Sequence, residues 1–574
     1  MLASARDRRQ LTQVQNGRTR QRDGEQPAAR QKLCLKSVAG FAELMNSDTH
    51  KTIASRRTTQ RPHWFLVGLV IALIHAPLLT KPFVDSDEAV YASIAALTNG
   101  GGHLYAEGGV DNKFPGIFWI YAGVFRVFGQ YAMNAVHVLT IVVVLATCAV
   151  LGAIAYRIGS KSGATTVALF YGVATTLYTP KMLAANTEIF AMLPVSAAVL
   201  LSLPRDSSRR PGFVHLYTAG LLIGVATLIR QLAAPNLLLI CALPLCWPGD
   251  EWPKRFASAF AAALGFVTVA GCLIYFFRYE GTLHEFLFWT VSVVRQRYLP
   301  AGWHLYPPYH QLAMLATTVV FWTLLLLRAR RWRLLSGPEK ALWAWFVLSI
   351  GIVLLPGRFH PHYVIQAFAP LALLSAIEFK QRLDEASEPK QRLFLRWSAG
   401  LLAALTVAFG AIAMWYDPFA PVFFGRTPPY YLQVARYVRE TTAPSDRIFV
   451  WGAYTPIYVM SDRLPASRFV AFKRGCDRGA ESPFGDCWDS GPEMWPLLAQ
   501  DLAANAPALI VDTAAANLGD FGAYPIKSFP LLRVLLATRY SQQRTVNGVV
   551  IYRRVDGPSN AAPRGAQDLR PSPV

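Results

Sequence analysis

A cluster of acidic residues stands directly after the first long apolar run of the sequence. Asp85, Asp87 and Glu88 lie within DSDEAVY, and Tyr91 follows Asp87 by four positions. Residues three and four positions apart share one face of a helix, so Asp87, Glu88 and Tyr91 can point the same way. Carboxylates clustered beside a membrane suggest a general base or a metal site.

A structural explanation competes for part of this cluster. Glu88 follows Asp85 by three positions, as in a capping box, and acids in a first turn favour the helix dipole. Capping explains Asp85 well, but three acids directly after a membrane helix need more than capping. Asp85-Ser86-Asp87 is also an Asp-x-Asp pattern, but a metal is most useful where it clamps a diphosphate leaving group. We therefore expect no metal.

Cationic residues stand at three other places that could face the same side. Lys113 follows the acids in the same loop, Arg230 lies between two apolar runs, and Arg358, His362 and Tyr363 form a polar cluster in GRFHPHY. An arginine near the membrane is costly without an anion or water, so either a lipid phosphate or an ordinary headgroup is the partner of Arg230. Lys113 taken alone is explained as a snorkelling lysine, and His362 as an interfacial histidine.

The elements that must position these residues are membrane helices. Hydrophobic residues make up 53% of the 574 positions and charged residues 16%, whereas a soluble protein has about 25% charged residues. Apolar runs long enough to cross a bilayer, about 20 residues each, predict a mainly α polytopic bundle. We predict eleven spans, at 64–80, 132–156, 163–179, 187–203, 216–229, 231–247, 256–278, 311–327, 340–356, 360–377 and 393–415.

The distribution of charge predicts the orientation of these spans. The net charge of +21 is concentrated in the N-terminal tail and in short loops, and a single alternation places five basic loops in the cytoplasm, as the positive-inside rule requires. The run 216–247 is read as two short helices, because one helix would place RARRWR (328–333) outside. There is no basic stripe interleaved with aromatic residues, so nucleic-acid binding is not expected.

The chain is divided accordingly. We expect a disordered cytoplasmic tail at 1–63, a membrane domain at 64–416 and a disordered tail at 556–574. The loop 81–131 lies outside and carries two helices, from Asp85 and from Phe114 to Phe128, the second aromatic like a helix at the membrane surface. Strand-like runs at 447–452, 508–512 and 548–554 predict a small α/β domain outside the membrane at 417–555.

Two cysteines in this outer region have a polar setting. Cys476 and Cys487 enclose CDRGAESPFGDC. The predicted topology places them in an oxidising compartment, where paired cysteines form disulfides. We predict a Cys476–Cys487 disulfide.

Several of these segments resemble a known family. DEAVYA (87–92) followed by NKFPGIFWIYAGVFRVFG (112–129) is similar to the acid pair and Lys-Pro-Pro segment of GT-C glycosyltransferases, nearest to protein O-mannosyltransferases and lipid A aminoarabinose transferases. ANTEIFAMLP, GRFHPHYVIQAFAPLALL and WGAYTPIYVMSDRLPASRF extend the resemblance over about 64–555. Two positions depart from the pattern: Lys113-Phe114-Pro115-Gly116 replaces Lys-Pro-Pro, and His137 stands where arginine is common.

The resemblance implies a GT-C fold and an inverting transfer of sugar from a polyprenyl-phosphate donor to a hydroxyl or phosphate acceptor. It implies Asp87 as catalytic base, with Glu88 orienting it or contacting the acceptor. Lys113 would contact the donor phosphate. The remaining assignments are donor phosphate for Arg230 and Arg358, and substrate binding for Asp85, Tyr91, His362 and Tyr363.

No cofactor is expected, and the expected partners are the lipid-linked donor, membrane lipids and a glycan, lipid or protein acceptor. The expected location is the bacterial inner membrane, with the N-terminus in the cytoplasm and the C-terminal domain in the periplasm. Two alternatives remain open: a lipid-linked glycan transporter or flippase, and a non-catalytic envelope assembly protein. Transporters tend to contain internal repeats, and the sequence has no clear repeat. The sequence identifies neither the sugar nor the acceptor.

Overall fold

A computed structural model describes residues 63–160, 163–204, 210–247, 251–295, 308–357, 360–416, 430–472 and 494–555. The chain divides into two compact units, Met1–Phe65 and Leu66–Val574. The larger unit contains every element discussed below except the first residues of the first helix. The predicted tails at 1–62 and 556–574 lie outside the described residues.

The described residues form nineteen helices, α1–α19, and five strands, β1–β5. In chain order they are α1 His63–Thr80, α2 Ser86–Asn99, α3 Gly116–Phe128, α4 Met133–Arg157, α5 Ala164–Ala174, α6 Thr187–Ser202, α7 Phe213–Ile229, α8 Asn236–Leu245, α9 Trp252–Tyr279, α10 Leu283–Leu287, α11 Pro308–Thr317, α12 Val319–Ala329, α13 Gly337–Leu354, α14 Ile365–Asp384, α15 Pro389–Trp415, α16 Tyr430–Thr441, β1 Arg447–Trp451, α17 Pro456–Ser461, β2 Leu464–Pro465, α18 Met494–Asn505, β3 Leu509–Asp512, α19 Pro530–Arg539, β4 Tyr540–Val546 and β5 Val549–Arg554.

Each of the eleven predicted spans coincides with a helical segment. Six helices are long and apolar enough to cross a membrane: α1, α4, α9, α13, α14 with its preceding turn, and α15. The pair α11–α12, bent by 74°, makes a seventh if it counts as one span. The four helices α5 to α8 are shorter than the roughly 20 residues that a bilayer requires. Full crossing by these four stays a prediction.

The break that was predicted near Arg230 is present. Helix α7 ends at Ile229, Arg230 is extended, and a 3₁₀ turn over Gln231–Ala233 leads to Pro235 and α8. A proline lacks the amide hydrogen that a helix interior needs, so α8 starts afresh after Pro235. The break leaves the Arg230 side chain at the end of α7 rather than in the middle of a span.

Close packing against α9 fixes the position of α7. A β-carbon at Gly220 would lie 1.9 Å from the Ala262 carbonyl oxygen, and one at Gly265 would lie 2.0 Å from the Tyr217 carbonyl oxygen. Small residues allow membrane helices to approach with their backbones in contact. The two glycines therefore hold α7 in one place, with Arg230 at its end.

Two helices fill most of the loop 81–131, as predicted. Helix α2 starts after Asp85, whose amide donates to the Glu88 carboxylate at 3.0 Å, so the capping interaction is present. Helix α3 begins at Gly116, where a β-carbon would lie 2.6 Å from the Leu228 carbonyl oxygen. The start of α3 consequently packs on the end of α7, and this contact brings Lys113 toward Arg230.

The C-terminal region contains a five-stranded mixed sheet in the order β2-β1-β3-β5-β4. Strands β2, β1 and β3 are parallel, and β5 and β4 continue the sheet antiparallel. The three predicted strands are β1, β3 and β5, so the predicted α/β character is confirmed. The two missed strands are the edges: β2 has only two residues, and β4 is mostly exposed and polar. An edge strand of this kind has little apolar alternation to detect.

Candidate active site

A cavity of about 520 Å³ lies where the loop 81–131 meets the helix ends around α6, α7 and α14. Its walls come from six separate stretches of the chain. The lining residues are Asp85, Ser86, Asp87, Tyr91, Asn112, Lys113, Lys181, Thr187, Glu188, Arg230, Gln231, Leu232, Thr290, Val294, Leu355, Pro356, His360, His362 and Tyr363.

Asp87 and Lys113 face each other on one wall of the cavity. The Lys113 Nζ lies 3.5 Å from Asp87 Oδ2, and the two side chains are 25% and 32% exposed. Tyr91 donates its hydroxyl to the same Asp87 oxygen at 3.1 Å, and Lys113 lies over the Tyr91 ring. Burial, and then the charge of Asp87, raise the pKa of Tyr91. The Tyr91 hydroxyl therefore stays protonated and orients a carboxylate that a reactant can reach.

Glu88 points away from the cavity, unlike the expectation that it shares a face with Asp87. Its carboxylate is completely buried and accepts from the amides of Val84 at 2.6 Å and Ala185 at 2.8 Å. The Nε2 of His137 lies 3.2 Å from it. Successive helical residues are about 100° apart, so the neighbour of a cavity-lining acid is turned into the packing. Glu88 thus joins α2, α4 and the turn before α6.

Asp85 binds the turn before α6. Its carboxylate accepts from Asn186 Nδ2 at 3.0 Å and from Lys181 Nζ at 3.3 Å, and it is 3% exposed. Burial lowers the pKa of Lys181, but Asp85, Tyr416 and Asp87 together outweigh burial and hold that pKa above its ordinary value. Lys181 therefore contacts Asp85, whereas Glu188 contacts Arg230.

Arg230 forms a buried group with Glu188 on the opposite wall. One terminal nitrogen of its guanidinium donates to Glu188 and to Thr187, and the guanidinium lies 4.4 Å from the centre of the Tyr363 ring. Arg230 is 7% exposed. Among the described residues, its Nε and Nη2 have no hydrogen-bond partner. A buried guanidinium with unused N–H groups beside a cavity is suited to bind an anion.

His362 lies between the two acidic groups. Its Nδ1 is 3.6 Å from Asp85 and its Nε2 is 3.5 Å from Glu188, with 12% of the side chain exposed. The two separations are at the limit of direct hydrogen bonding. His362 therefore connects the Asp85 wall with the Arg230 wall.

Sequence reasoning missed two residues that hold Lys113. The Asp111 carboxylate accepts from the Lys113 amide at 2.9 Å and lies 3.7 Å from its Nζ. Gln231 donates its side-chain amide to the Asn112 carbonyl at 2.6 Å. Asp111 stands two positions before Lys113, so the sequence already showed an acid that could contact this lysine. No local pattern pairs residues 112 and 231, which are 119 positions apart.

The structure brings together most of the predicted site residues. Those that line the cavity are Asp85, Asp87, Tyr91, Lys113, Arg230, His362 and Tyr363. Glu88 is next to Asp87 in the sequence, but its side chain is buried in the packing and does not line the cavity. Arg358, Cys476 and Cys487 lie outside the described residues. Nothing in the geometry bears on the predicted disulfide, which stays a prediction.

The two acids of the Asp-x-Asp pattern have separate partners. Asp85 contacts Lys181 and Asn186, whereas Asp87 contacts Lys113 and Tyr91. The described part of the chain contains no group of three or more His, Cys, Asp or Glu side chains arranged to hold a metal ion. Each carboxylate is thus balanced by a nearby cation of the protein.

We compared the chain with protein-family models and with solved structures. The family model of dolichyl-phosphate-mannose-protein mannosyltransferase matches residues 112–275. ArnT from Cupriavidus metallidurans, in a structure bound to undecaprenyl phosphate, superposes with a TM-score of 0.57 at 13% identity, covering 88% of this chain and 100% of ArnT. The chain has the GT-C fold. Apo ArnT superposes on this GT-C fold with a TM-score of 0.53 at 14% identity, covering 87% of this chain and 98% of ArnT.

A weaker likeness extends to an oligosaccharyltransferase of Archaeoglobus fulgidus, with a TM-score of 0.47, 13% identity, and 86% and 74% of the two chains covered. No curated protein sequence matches the chain. The predicted GT-C resemblance and the predicted helical bundle with a small C-terminal sheet are confirmed. The GT-C protein is a multi-pass membrane protein.

Proposed function

We propose that the protein is an inverting glycosyltransferase that moves a sugar from a polyprenyl-phosphate donor to an acceptor hydroxyl or phosphate. The observation that carries the proposal is the Asp87–Lys113 pair, whose partly exposed side chains lie 3.5 Å apart in the wall of the cavity. The buried Arg230, with two guanidinium nitrogens that have no hydrogen-bond partner among the described residues, lines the same cavity. A base and two cations in one cavity suit the displacement of a phosphate.

Asp87 acts as the general base. For a hydroxyl acceptor, the carboxylate takes the proton as the oxygen attacks the anomeric carbon of the sugar, which contributes roughly 10²–10⁴-fold to the rate. The new C–O bond forms on the face opposite the bond to the phosphate, and that bond breaks with its electron pair leaving on the phosphate oxygen. The configuration is inverted, and polyprenyl phosphate is released. A phosphate acceptor that is already ionised needs no proton removal.

Lys113 and Arg230 stabilise the departing phosphate. Negative charge grows on the phosphate in the transition state, and cations held in position beforehand stabilise such charge. A phosphate beside Lys113 draws that cation away from Asp87. Asp87 then becomes a stronger base at the moment when the donor is bound.

Glu88 acts as a positioning residue rather than as a contact for the acceptor. Its buried carboxylate holds the amides of Val84 and Ala185 and faces His137. These bonds fix the start of α2, where Asp87 sits. Asp85, Tyr91, His362 and Tyr363 form the polar surface that would receive the sugar.

The donor class rests on a second cavity and on the fold. A cavity of about 220 Å³ shares His360 with the first, and its lining is mostly apolar, from α11, α13 and α14. An apolar space beside a phosphate site suits a prenyl chain. ArnT, which has the same fold, is described with bound undecaprenyl phosphate.

The location proposed is the bacterial inner membrane, with the N-terminus in the cytoplasm and both the loop 81–131 and the C-terminal region in the periplasm. The support is the agreement of basic loops with one alternation. Reporter fusions after Ala399 and after Val555 test this orientation. A cytoplasmic signal from the second fusion would contradict it.

The function is tested with Asp87→Asn in cells and in purified protein. We expect the envelope glycan that depends on the wild-type gene to disappear, as measured by mass spectrometry. The purified variant should still bind undecaprenyl phosphate. A variant that restores the glycan fully in a deletion strain would exclude Asp87 as the base, and wild-type protein that does not bind undecaprenyl phosphate would exclude the donor class.

A further inference from the structure

A short segment of the C-terminal region contacts the loop that carries Lys113. This docking segment, residues 463–469, follows α17 and contains β2. Its Arg468 carbonyl accepts from the Val110 amide at 3.2 Å, and its Arg463 carbonyl accepts from the Tyr131 hydroxyl at 3.2 Å. Val110 precedes Lys113 by three residues, and Tyr131 follows α3. The docking segment therefore holds the second half of the loop at both ends.

The docking segment is itself fixed by an ion pair. The Arg468 guanidinium binds both carboxylate oxygens of Asp501 in α18, from Nη2 to Oδ1 at 2.8 Å and from Nε to Oδ2 at 3.0 Å. The same carboxylate accepts from the Arg468 amide at 2.8 Å and from Ser467 at 3.1 Å. Both charged side chains are largely buried, at 11% and 5% exposure. A bidentate arginine–carboxylate pair has one preferred geometry, so it leaves the Arg468 carbonyl little freedom.

The loop that receives this contact needs external support. The stretch between α2 and α3 contains GGGHLYAEGGVDNK, with five glycines in fourteen residues. Glycine has the largest conformational freedom to lose on ordering. Internal bonds, such as that of the Tyr105 amide to the Gly109 carbonyl at 2.9 Å, close part of the loop. The Val110–Arg468 bond ties its end to a rigid neighbour.

A second contact reaches the other side of the cavity. The Phe469 ring meets Trp289 edge-to-face, with 6.0 Å between ring centres. Trp289 belongs to the turn after α10 and adjoins Thr290, which lines the cavity. The docking segment thus touches two walls of the cavity from behind.

We infer that Arg468 and Asp501 are positioning residues for the active site. Their ion pair fixes the Arg468 carbonyl, this carbonyl fixes Val110, and Val110 sets Asp111 and Lys113 in register with Asp87. The consequence for donor binding rests on the proposed role of Lys113. The structural consequence, which is the order of the loop around Val110, does not depend on that role.

Hydrogen exchange of the full chain in detergent tests the inference. We expect Asp501→Asn and Arg468→Ala to accelerate exchange in the peptide 103–114 by about tenfold or more, because a local opening becomes easier. Arg468→Lys keeps one charged bond and should lie between wild type and Arg468→Ala. The control is Arg553→Ala, which removes an arginine bonded to Thr441 and Gln543 in the same region. Its peptide 103–114 should exchange as in wild type.

Undecaprenyl phosphate binding separates positioning from general damage. In the Arg468 and Asp501 variants the Kd for undecaprenyl phosphate should rise about threefold to tenfold, and the peptide 447–459, which covers β1, should exchange as in wild type. Unchanged exchange in 103–114 in all three variants would overturn the inference. Equal acceleration in 447–459 would also overturn it, because the pair would then only stabilise the C-terminal region. If wild-type protein does not bind undecaprenyl phosphate, the proposed function fails, while the exchange result still decides the inference.

Discussion

Two clusters of charged and polar side chains lie at opposite ends of α13 and α14, and they are built differently. The cavity cluster, at one end, consists of Asp85, Asp87, Lys113, Glu188, Arg230 and His362. The Glu378 cluster, at the other end, consists of Arg328, Arg331, Glu339, Glu378 and Arg382. Helix α14 begins at Ile365 beside the cavity cluster, and Glu378 lies thirteen positions further along it. At 1.5 Å per residue, the two clusters are therefore about 20 Å apart along the helix.

The Glu378 cluster surrounds one acid with three arginines. The Glu378 carboxylate is completely buried and lies 2.7, 3.4 and 3.8 Å from nitrogens of Arg382, Arg328 and Arg331. Arg328 also contacts Glu339 and so joins α12, α13 and α14. The cavity cluster keeps Asp87 and Lys113 partly exposed. The two clusters thus differ in whether a reactant can reach the acid: the Glu378 carboxylate is completely buried, whereas Asp87 stands in the wall of a cavity.

The largest effect is expected from Asp87→Asn. The amide cannot accept a proton, so the transfer rate should fall by about 10²–10⁴-fold. The thermal unfolding temperature should change little, because the side chain is 32% exposed. Transfer to the native acceptor in membranes measures the rate. Glu251→Gln, an exposed acid, is the control and should keep the wild-type rate.

Removing Glu378 should affect stability instead. Glu378→Ala leaves the buried Arg328 without one of its two carboxylates, and breaking a buried ion pair costs about 3–5 kcal/mol. Thermal unfolding in detergent should show a large decrease, whereas the folded fraction should bind undecaprenyl phosphate as wild type does. The matched control is Glu385→Ala, an exposed partner of Arg331, for which a change of about 0–1 kcal/mol is expected. A raised Kd for undecaprenyl phosphate in folded Glu378→Ala would contradict the expectation that the Glu378 cluster affects stability alone.

Lys113→Ala should weaken donor binding by an intermediate amount. The loss of one charge-assisted hydrogen bond is worth about 1.5–3 kcal/mol, which is roughly 10- to 100-fold in Kd for undecaprenyl phosphate. Isothermal titration or microscale thermophoresis gives the Kd. Lys254→Ala, an exposed lysine, serves for comparison. An unchanged Kd for Lys113→Ala would remove Lys113 from the phosphate site.

The smallest effect concerns a buried acid outside both clusters. Burial raises the pKa of Asp512, at the end of β3, to about 6. The folded state therefore holds this proton more tightly than the unfolded chain, whose pKa is near 4. Stability from this group is present below pH 4 and is lost as the pH rises to about 6, by up to about 3 kcal/mol.

Asp512→Asn should remove that loss. The amide oxygen still accepts from the Ala514 amide, but no charge is buried at neutral pH. At pH 7.5 the variant should be more stable than wild type by about 1–3 kcal/mol, with equal stability near pH 4. Thermal unfolding between pH 4 and 8, followed through tryptophan fluorescence, measures the difference. Parallel pH profiles for the two proteins would rule out Asp512 as the source.

Local pattern determined much of this protein. The length of apolar runs located eleven helical segments, because a bilayer requires long stretches without charge. The positive-inside rule predicted the break near Arg230, and strand-like runs predicted the three inner strands. The acids after the first span were singled out from residue type and order, whereas Lys113, which taken alone is explained as a snorkelling lysine, was assigned to the phosphate by resemblance to a family.

Tertiary structure decided which of these residues face one another. Asp87 and Glu88 are equivalent acids in sequence, and only the packing of α2 against α4 and the turn before α6 assigns one to the cavity and the other to the interior. Arg230 is paired with Glu188, 42 residues away, because close glycine packing fixes the end of α7. Such contacts depend on how helices pack that are far apart in the sequence. The periodicity of one segment shows which face is apolar, but it does not specify which distant segment packs against that face.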